Sequence, residues 1–342
     1  MTQSIKIGIV GLGRAGWGMH CPELDERTDS FEIVAACDVI TSRRERMAER
    51  YGCKVYADVA ELIADPDVEL VDIATRSCDH YAHAAMALTA GKDVLLEKPM
   101  TVSYHEAEML REAARHSSGN LYVRHNRRFD PDFLQVREII DSRILGEVYE
   151  IQLARHSYQR RDDWQTLKTY GGGQLLNWGP HIIDHALRFL ESPVADQYSD
   201  LRCVAAAGDA EDHLKIVLRG ENGRLVDLEI SGGVALGSPT YRVFGTKGSL
   251  VLSGKEITLR YLDPEHVLEP RTANSGTPGA TFGQSEQLVW IDDTLPVVEG
   301  TNHVIWDHLY AAIRDGATYP ISLDEAIEVM RVVSKAKEGT GF

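Results

Sequence analysis

The chain has no surplus of basic charge: 36 lysines and arginines face 52 aspartates and glutamates, a formal charge of -16 over 342 residues. A surface that neutralises phosphate backbones needs the opposite balance, and no basic block stands apart from the acidic background, which argues against nucleic acid as a partner. Cysteine is scarce as well. The five residues Cys21, Cys37, Cys53, Cys78 and Cys203 form no CxxC and no close Cys/His pairing. Neither a disulfide framework nor a metal site is expected, and a reduced cytoplasm is the simplest setting. No run approaches the roughly 20 apolar residues that span a bilayer, so no membrane partner is expected. Met1-Thr2-Gln3-Ser4 leads straight into an expected strand without the charged and apolar regions of a leader. Internal repeats and low-complexity tracts are absent too.

What is present is length and apolar content: 43% of the residues are hydrophobic, enough for two ordinary cores. From Ile5 to about Val123, short β-branched runs alternate with helical patterns. The runs are Ile5–Val10, Glu32–Cys37, Leu70–Ala74, Asp93–Leu96 and Leu121–Val123, and Gly52 and Gly91 stand where helices should stop. Continuous apolar strands joined by helices describe a Rossmann-type, doubly wound parallel sheet covered on both faces, assigned to residues 1–124. Beyond Asp130-Pro131 the pattern changes. A helix over about 132–141 precedes a long strand from Gly146 to about His156, and strands cluster over about 197–260 with Asn222-Gly223 and Lys247-Gly248 as turns. Residues 125–342 therefore read as a mostly antiparallel α+β unit with helices on one face, closed by amphipathic helices over about 302–314 and 322–337. The Pro-, Gly-, Thr- and Asp-rich stretch 263–300 reads as loop.

Gly11-Leu12-Gly13-Arg14-Ala15-Gly16 follows the first expected strand and opens a helix, and Asp38 ends the next strand 22 residues beyond Gly16. Each glycine has its own task. Gly11 permits the tight turn, Gly13 lets the backbone around Arg14 and Ala15 approach a pyrophosphate, and Gly16 lets the helix pack closely on the sheet. The helix N-terminus adds its dipole to that anion site. Asp38 suits ribose hydroxyls and repels a 2'-phosphate, which favours NAD; Arg43 and Arg44 lie near enough to soften that preference and leave NADP open.

Two further segments do not look like packing. Glu97-Lys98-Pro99 ends an apolar strand at the carboxyl edge of the sheet, where open α/β sheets place ligands, so Lys98 is aimed at the cofactor crevice. A lysine withdrawn from water there can hydrogen-bond a hydroxyl and stabilise negative charge. Gly171-Gly172-Gly173 precedes Asn177, His181 and Asp184, spaced i, i+4 and i+7 on one face of a helix. A histidine with polar neighbours suits proton transfer near neutrality. Upstream, Arg155-His156-Ser157-Tyr158-Gln159-Arg160-Arg161-Asp162-Asp163-Trp164 mixes polar forks with aromatics. That run fits either the edges and faces of a sugar ring, with Arg161 and Trp164 as contacts, or a solvated loop at an oligomer contact.

These motifs, in this order, resemble the Gfo/Idh/MocA family of NAD(P)-dependent oxidoreductases, whose pattern couples GxGxxG to an EKP lysine and a later GGGxxxDxGxHxxD stretch. The likeness extends to Asp72-Ile73-Ala74-Thr75 with His80, to Asn126-Arg127-Arg128-Phe129-Asp130-Pro131 and to Val243-Phe244-Gly245-Thr246-Lys247-Gly248. The resemblance implies Gly11, Gly13, Gly16 and Asp38 at the nucleotide, Thr75 and Glu97 beside the nicotinamide with His80 in the same crevice, and Lys98 and His181 as the catalytic pair. It puts Asn126, Arg127 and Asp184 on the substrate side. Two positions depart from the pattern. Asn177 replaces the family's aspartate, so it can orient a hydroxyl or the ring but carries no charge, and His181 is expected to depend more on Lys98 and Asp184. Arg76 replaces the residue, usually proline, after the threonine; it either holds an anionic substrate group or pairs with acidic neighbours.

The leading expectation is hydride transfer between NAD and a secondary hydroxyl of a sugar, cyclitol or other small polyhydroxylated substrate. His181 takes the hydroxyl proton, Lys98 stabilises the alkoxide and Asn177 orients a neighbouring hydroxyl. Transient oxidation, as in NAD-dependent glycosidases or epimerases, and a non-catalytic NAD- and sugar-binding regulator are the alternatives. The resemblance also implies a homodimer or homotetramer through the second sheet.

Overall fold

Continuous apolar strands need cover on both faces, and the chain supplies it with helices wound on either side. The structure, a computed structural model, describes residues 4–273, 275–276 and 286–342. Six parallel strands form the first sheet: β1 (Ile5–Val10), β2 (Phe31–Cys37), β3 (Lys54–Tyr56), β4 (Leu70–Ile73), β5 (Asp93–Glu97) and β6 (Leu121–Arg124), in the order β3-β2-β1-β4-β5-β6. Their crossovers carry α1 (Cys21–Asp25), α2 (Thr41–Tyr51), α3 (Val59–Ala64), α4 (His80–Thr89) and α5 (Tyr104–His116). The strand order reverses between β1 and β4, which opens a crevice at their carboxyl ends. Strand β3 escaped the sequence reading because three residues are too few to show a period. The helix expected directly after the glycine turn begins instead with one wide turn over 16–20, in which the His20 N–H reaches back to the Ala15 carbonyl oxygen at 2.9 Å.

Helix α6 (Pro131–Asp141) leads into an eight-stranded sheet made of β7 (Val148–His156), β8 (Val194–Arg202), β9 (His213–Gly220), β10 (Leu225–Ser231), β11 (Tyr241–Gly245), β12 (Gly248–Ser253), β13 (Glu256–Leu262) and β14 (Trp290–Pro296). Its order is β14-β13-β12-β11-β7-β10-β9-β8, and only the β7–β10 pair is parallel. Strand β14 lies in the stretch expected to be loop: it is an exposed edge strand whose Asp292 and Asp293 hide its pairing with β13 from any apolar pattern. Residues 274 and 277–285 of that expected loop lie outside the described residues.

Helices α7 (Gln174–Asn177), α8 (Gly179–Leu190) and α10 (Leu323–Lys337) cover one face of this sheet, α8 against β10 and α10 over α8 and α5. Ser322 and Glu325 close a reciprocal capping box at the start of α10. Helix α9 (Ile305–Arg314), in the part of the chain expected to belong to the second unit, packs Trp306 and Leu309 among Ile5, Phe31 and Leu70 of the first. Among the described residues no helix is long and apolar enough to cross a membrane.

Candidate active site

The turn after β1 is shaped by contacts that a side chain would destroy. A Cβ on Gly16 would stand 2.1 Å from the Gly11 carbonyl oxygen, and one on Gly11, whose φ is +94°, 2.7 Å from that of Ala74. Gly13 faces outward, with only Arg43 Nη1 near its missing side chain, at 3.9 Å. The backbone N–H groups of Gly13, Arg14 and Ala15 donate to nothing else among the described residues. Free amides at the start of a helical segment are donors suited to an anion. Asp38 closes the turn: Oδ2 accepts from the Leu12 N–H at 2.9 Å and from Arg43 Nη1 at 3.2 Å, and Oδ1 accepts from the Ile40 N–H at 2.9 Å. Gly16→Ala is therefore expected to open the turn and weaken NAD(P)H binding by on the order of tenfold or more. A fluorescence titration of NAD(P)H reads this, and unchanged affinity would show that the close approach does not shape the cradle.

At the other end of the crevice, Lys98 follows β5 directly, and its Nζ donates to the Asn177 carbonyl oxygen at 3.2 Å. The edge of the first sheet thus meets the junction between α7 and α8. Burial lowers the lysine's pKa; Glu97 opposes this, while Arg14 and Arg127 push in the same direction as burial.

Helix α8 is buried nearly all round, so its polar residues need partners. Asp184 receives both prongs of Arg128, Nε at 3.0 Å and Nη2. His185 bonds the Tyr241 hydroxyl at 3.0 Å and the Arg127 carbonyl oxygen at 2.8 Å. His181 is the exception. It is 6% exposed, it hydrogen-bonds no other described residue through its ring, and its Nδ1 is sealed from solvent without a partner. Burial first, then the cations of Lys98 and Arg127, hold its pKa well below 6.5, so the ring is neutral at neutral pH. His125, at the end of β6, is a second sealed imidazole with no partner at either nitrogen, its pKa lowered to about 4 chiefly by burial.

The Trp178 ring lies 5.6 Å from that of His181, with the guanidinium of Arg127 4.3 Å and that of Arg155 3.1 Å from its centroid. The Asn177 side chain is held from the other direction. Its Oδ1 accepts from Gln165 Nε2 at 3.3 Å, and Gln165 Oε1 accepts from Arg161 Nη2 at 2.5 Å. Arg161, Gln165 and Asn177 line one recess, and Trp164, at the start of the short turn capped by Asp163, is not among the residues that line it.

Lys98, Asn177 and His181 are thus brought together, though not as the spacing implied. The chain breaks at Trp178, so Asn177 ends one helix and His181 lies in the next. Asp184 shares His181's helix but is spent on Arg128, and His181 receives no support from it. Glu97 is turned away from the crevice: it accepts from Arg124 Nη1 at 3.0 Å and lies 3.1 Å from His20 Nε2 in a buried ionic network. His80, 1% exposed, is also turned inward, its Nδ1 bonded to the Pro99 carbonyl oxygen at 2.7 Å and its Nε2 3.3 Å from that of Thr75. It braces the two strand ends and offers no free edge to a cofactor. Thr75 stays at the carboxyl end of β4, its hydroxyl 3.2 Å from His83 Nδ1, and Asn126 is buried in the turn after β6. Arg76 has its guanidinium 4.4 Å from the centroid of the Tyr170 ring. The sequence reading missed His125 and Arg155; the first carries no motif, and the second sits in the polar run where Arg161 and Trp164 drew attention. Among the described residues no group of three or more histidine, cysteine or acidic side chains is placed to hold a metal.

Known proteins match the chain along almost its whole length. The model of an oxidoreductase family with an NAD-binding Rossmann fold matches residues 5–125, and that of the GFO/IDH/MocA C-terminal domain matches residues 133–251. The scyllo-inositol 2-dehydrogenase (NADP(+)) IolW of Bacillus subtilis is 29% identical, over 99% of this chain and 94% of its own. The 1-carboxy-3-chloro-3,4-dihydroxycyclohexa-1,5-diene dehydrogenase of Comamonas testosteroni is 30% identical, over 95% of this chain and 81% of its own. The solved structure of the Bacillus subtilis oxidoreductase YvaA superposes with a TM-score of 0.85 at 25% identity, covering 99% of this chain and 97% of that one. With the glycine cradle, the Lys98 edge and the two-sheet architecture in place, the chain belongs to the Gfo/Idh/MocA family of oxidoreductases.

Proposed function

We propose that this chain is a reversible NAD(P)-dependent dehydrogenase acting on a secondary hydroxyl of a ring polyol, a sugar or cyclitol derivative. The observation that carries the reading is the meeting of Lys98 with the α7–α8 junction beside a neutral, unpartnered His181. In this reading the Gly11–Gly16 turn, its free amides and Asp38 hold the dinucleotide, which when bound supplies a hydride acceptor. His181, having no bonded partner to displace, takes the proton of the reacting hydroxyl. Lys98 places a cation against the oxygen as negative charge develops, in a crevice where charge is poorly screened. Asn177, anchored by Gln165, orients a neighbouring hydroxyl and adds no charge. The names of the two relatives support the substrate class, since both describe dehydrogenases of hydroxylated six-membered rings.

Incubated with NAD+ or NADP+ and a panel of inositols, aldoses, uronates and glycosides, the protein is expected to produce NAD(P)H with at least one ring polyol. Cofactor binding without reduction across the panel sinks the reading. Cofactor choice follows from the Asp38–Arg43 pair. A 2'-phosphate meets Arg43 but also the Asp38 carboxylate, whereas a 2'-hydroxyl meets an acceptor alone. Arg43→Ala is expected to weaken NADP(H) by on the order of tenfold and NAD(H) by much less, the difference one charged hydrogen bond makes. Equal losses for both cofactors would remove Arg43 from that role.

A further inference from the structure

The protein carries a large acidic surplus, yet the crevice wall opposite the nucleotide is cationic. Arg155 is the clearest case. It leaves the end of β7 on the same side of the sheet as Ile151 and Leu153 and lies over Trp178 at 3.1 Å. No carboxylate, carbonyl or hydroxyl accepts from it among the described residues, while carboxylates pair with most other arginines, among them Arg27, Arg124, Arg128 and Arg224. Arg127 lies over the same ring and shares its charge with Asp130 at 2.8 Å, and Asp130 is further occupied by Asn302. Arg155 is therefore a cation next to a cation. Partial desolvation, and after it the charge of Arg127, push its pKa down to about 10 against the opposing charge of Asp130, while the side chain keeps an exposed edge from which an anion can approach. A guanidinium does not give up its proton near neutrality, so Arg155 stays a cation with no bonded anion of its own.

The cofactor's phosphates do not answer that need, because the free amides of the Gly11–Gly16 turn already offer them donors. Trp178 connects Arg155 to the reacting groups: it follows Asn177, whose carbonyl oxygen holds Lys98, and its ring neighbours His181. We propose that the substrate of this chain is a polyol acid, whose carboxylate is received by Arg155 and Arg127 over the face of Trp178 while its hydroxyl lies between Lys98 and His181. This rests on the dehydrogenase reading above and sharpens it. A planar guanidinium fork matches a carboxylate in shape as well as charge, and the indole beneath holds both forks in place. The relative from Comamonas testosteroni has a carboxylated dihydroxy ring in its name, so the family scaffold accommodates such a molecule. An anion held by Arg127 also offsets one of the cations that depress His181, which raises the ring's affinity for the substrate proton.

The test compares acids with their neutral counterparts: D-glucuronate with D-glucose, D-gluconate with sorbitol, quinate with myo-inositol, and D-glucose 6-phosphate as a differently shaped anion. Turnover with NAD(P)+ is read alongside calorimetric binding to the protein–cofactor complex, which needs no reaction. At least one acid is expected to exceed its neutral partner tenfold or more in kcat/KM. In Arg155→Leu that ratio should fall towards one, mainly through KM, and Arg155→Lys should restore it only in part. Neutral partners used as well as the acids, a ratio unchanged in Arg155→Leu, or a preference for the phosphate alone would each overturn the carboxylate site. If acids bind in an Arg155-dependent way but none is oxidised, the carboxylate site stands and the dehydrogenase reading fails; if only neutral polyols are oxidised, the reverse holds.

Discussion

Replacing Lys98 by methionine is expected to lower kcat/KM by about 10²–10⁴-fold, the range for removing one aligned electrostatic or proton-handling group. The change conserves most of the side chain's volume and removes only the cation and its bond to the Asn177 carbonyl oxygen. Dinucleotide affinity should fall far less, since the cradle lies at Gly11–Gly16 and Asp38. A pH profile separates chemistry from structure. Lys98 is, after burial, the first cause that holds His181 below its usual pKa. Without it the imidazolium is easier to form, so the acid limb of the residual activity should move to higher pH. A lysine that only supported the strand edge would leave the limb where it was. A Lys98→Met variant with wild-type kcat/KM, or with a limb at lower pH, would remove Lys98 from the reaction.

How far the sequence foretold this site depends on the range of the interaction concerned. The glycine turn and Asp38 were legible in their placement because it is set by local backbone geometry: strand, tight turn, helix, and one acid at the end of the next strand. Lys98 was legible because a strand edge has a known address in an open sheet. His181 and Asp184 were legible as polar positions, but not for what they do. Their three-residue spacing suggested a shared task, and nothing near them in the chain announces that Arg128, 56 residues earlier, takes the carboxylate. Glu97 fails for the same reason, because its partners come from distant parts of the chain, His20 from the turn after β1 and Arg124 from the end of β6. Arg155 shows the converse limit, since a cation left unpaired by the fold looks in sequence like any other arginine. The break at Trp178, with proline at the first turn of α8, was present in Trp178-Gly179-Pro180 and lost to the stronger helical period around it.

The network beneath Lys98 supplies the largest expected effect on stability. Arg124 is fully buried and binds Glu97 at 3.0 Å and Glu23 through its other terminal nitrogen, while Trp306 Nε1 donates to Glu23 at 2.6 Å. Glu97 also accepts from the Lys98 backbone N–H at 3.1 Å, so the network fixes the strand end that presents the lysine. Arg124→Met takes the shared cation away from two buried carboxylates, leaving Glu97 to His20 and Glu23 to Trp306, and should cost about 3–5 kcal/mol of unfolding free energy, whereas removing the charges together is expected to cost less. Denaturant titration of Arg124→Met and of the triple variant Arg124→Met/Glu23→Gln/Glu97→Gln decides this; an Arg124→Met loss below about 1 kcal/mol would place the network among weak surface-like pairs. Its pH dependence has a definite sign. Burial opposes a charge on His20, but Asp72 at 2.7 Å and Glu97 outweigh it and raise the pKa from 6.5 to about 9. That contribution is complete below about pH 6.5 and lost as pH rises through about 9. Burial likewise opposes a charge on Glu97, but His20 and Arg124 hold its pKa well below 4.5, so its contribution is complete above that value and lost as pH falls. The two effects leave a stability plateau between about pH 4.5 and 6.5 with an alkaline slope above it. In Asp72→Asn the slope between pH 6.5 and 9 should flatten, because the anion that keeps His20 charged is gone; a slope that persists undiminished would assign it to groups outside the network.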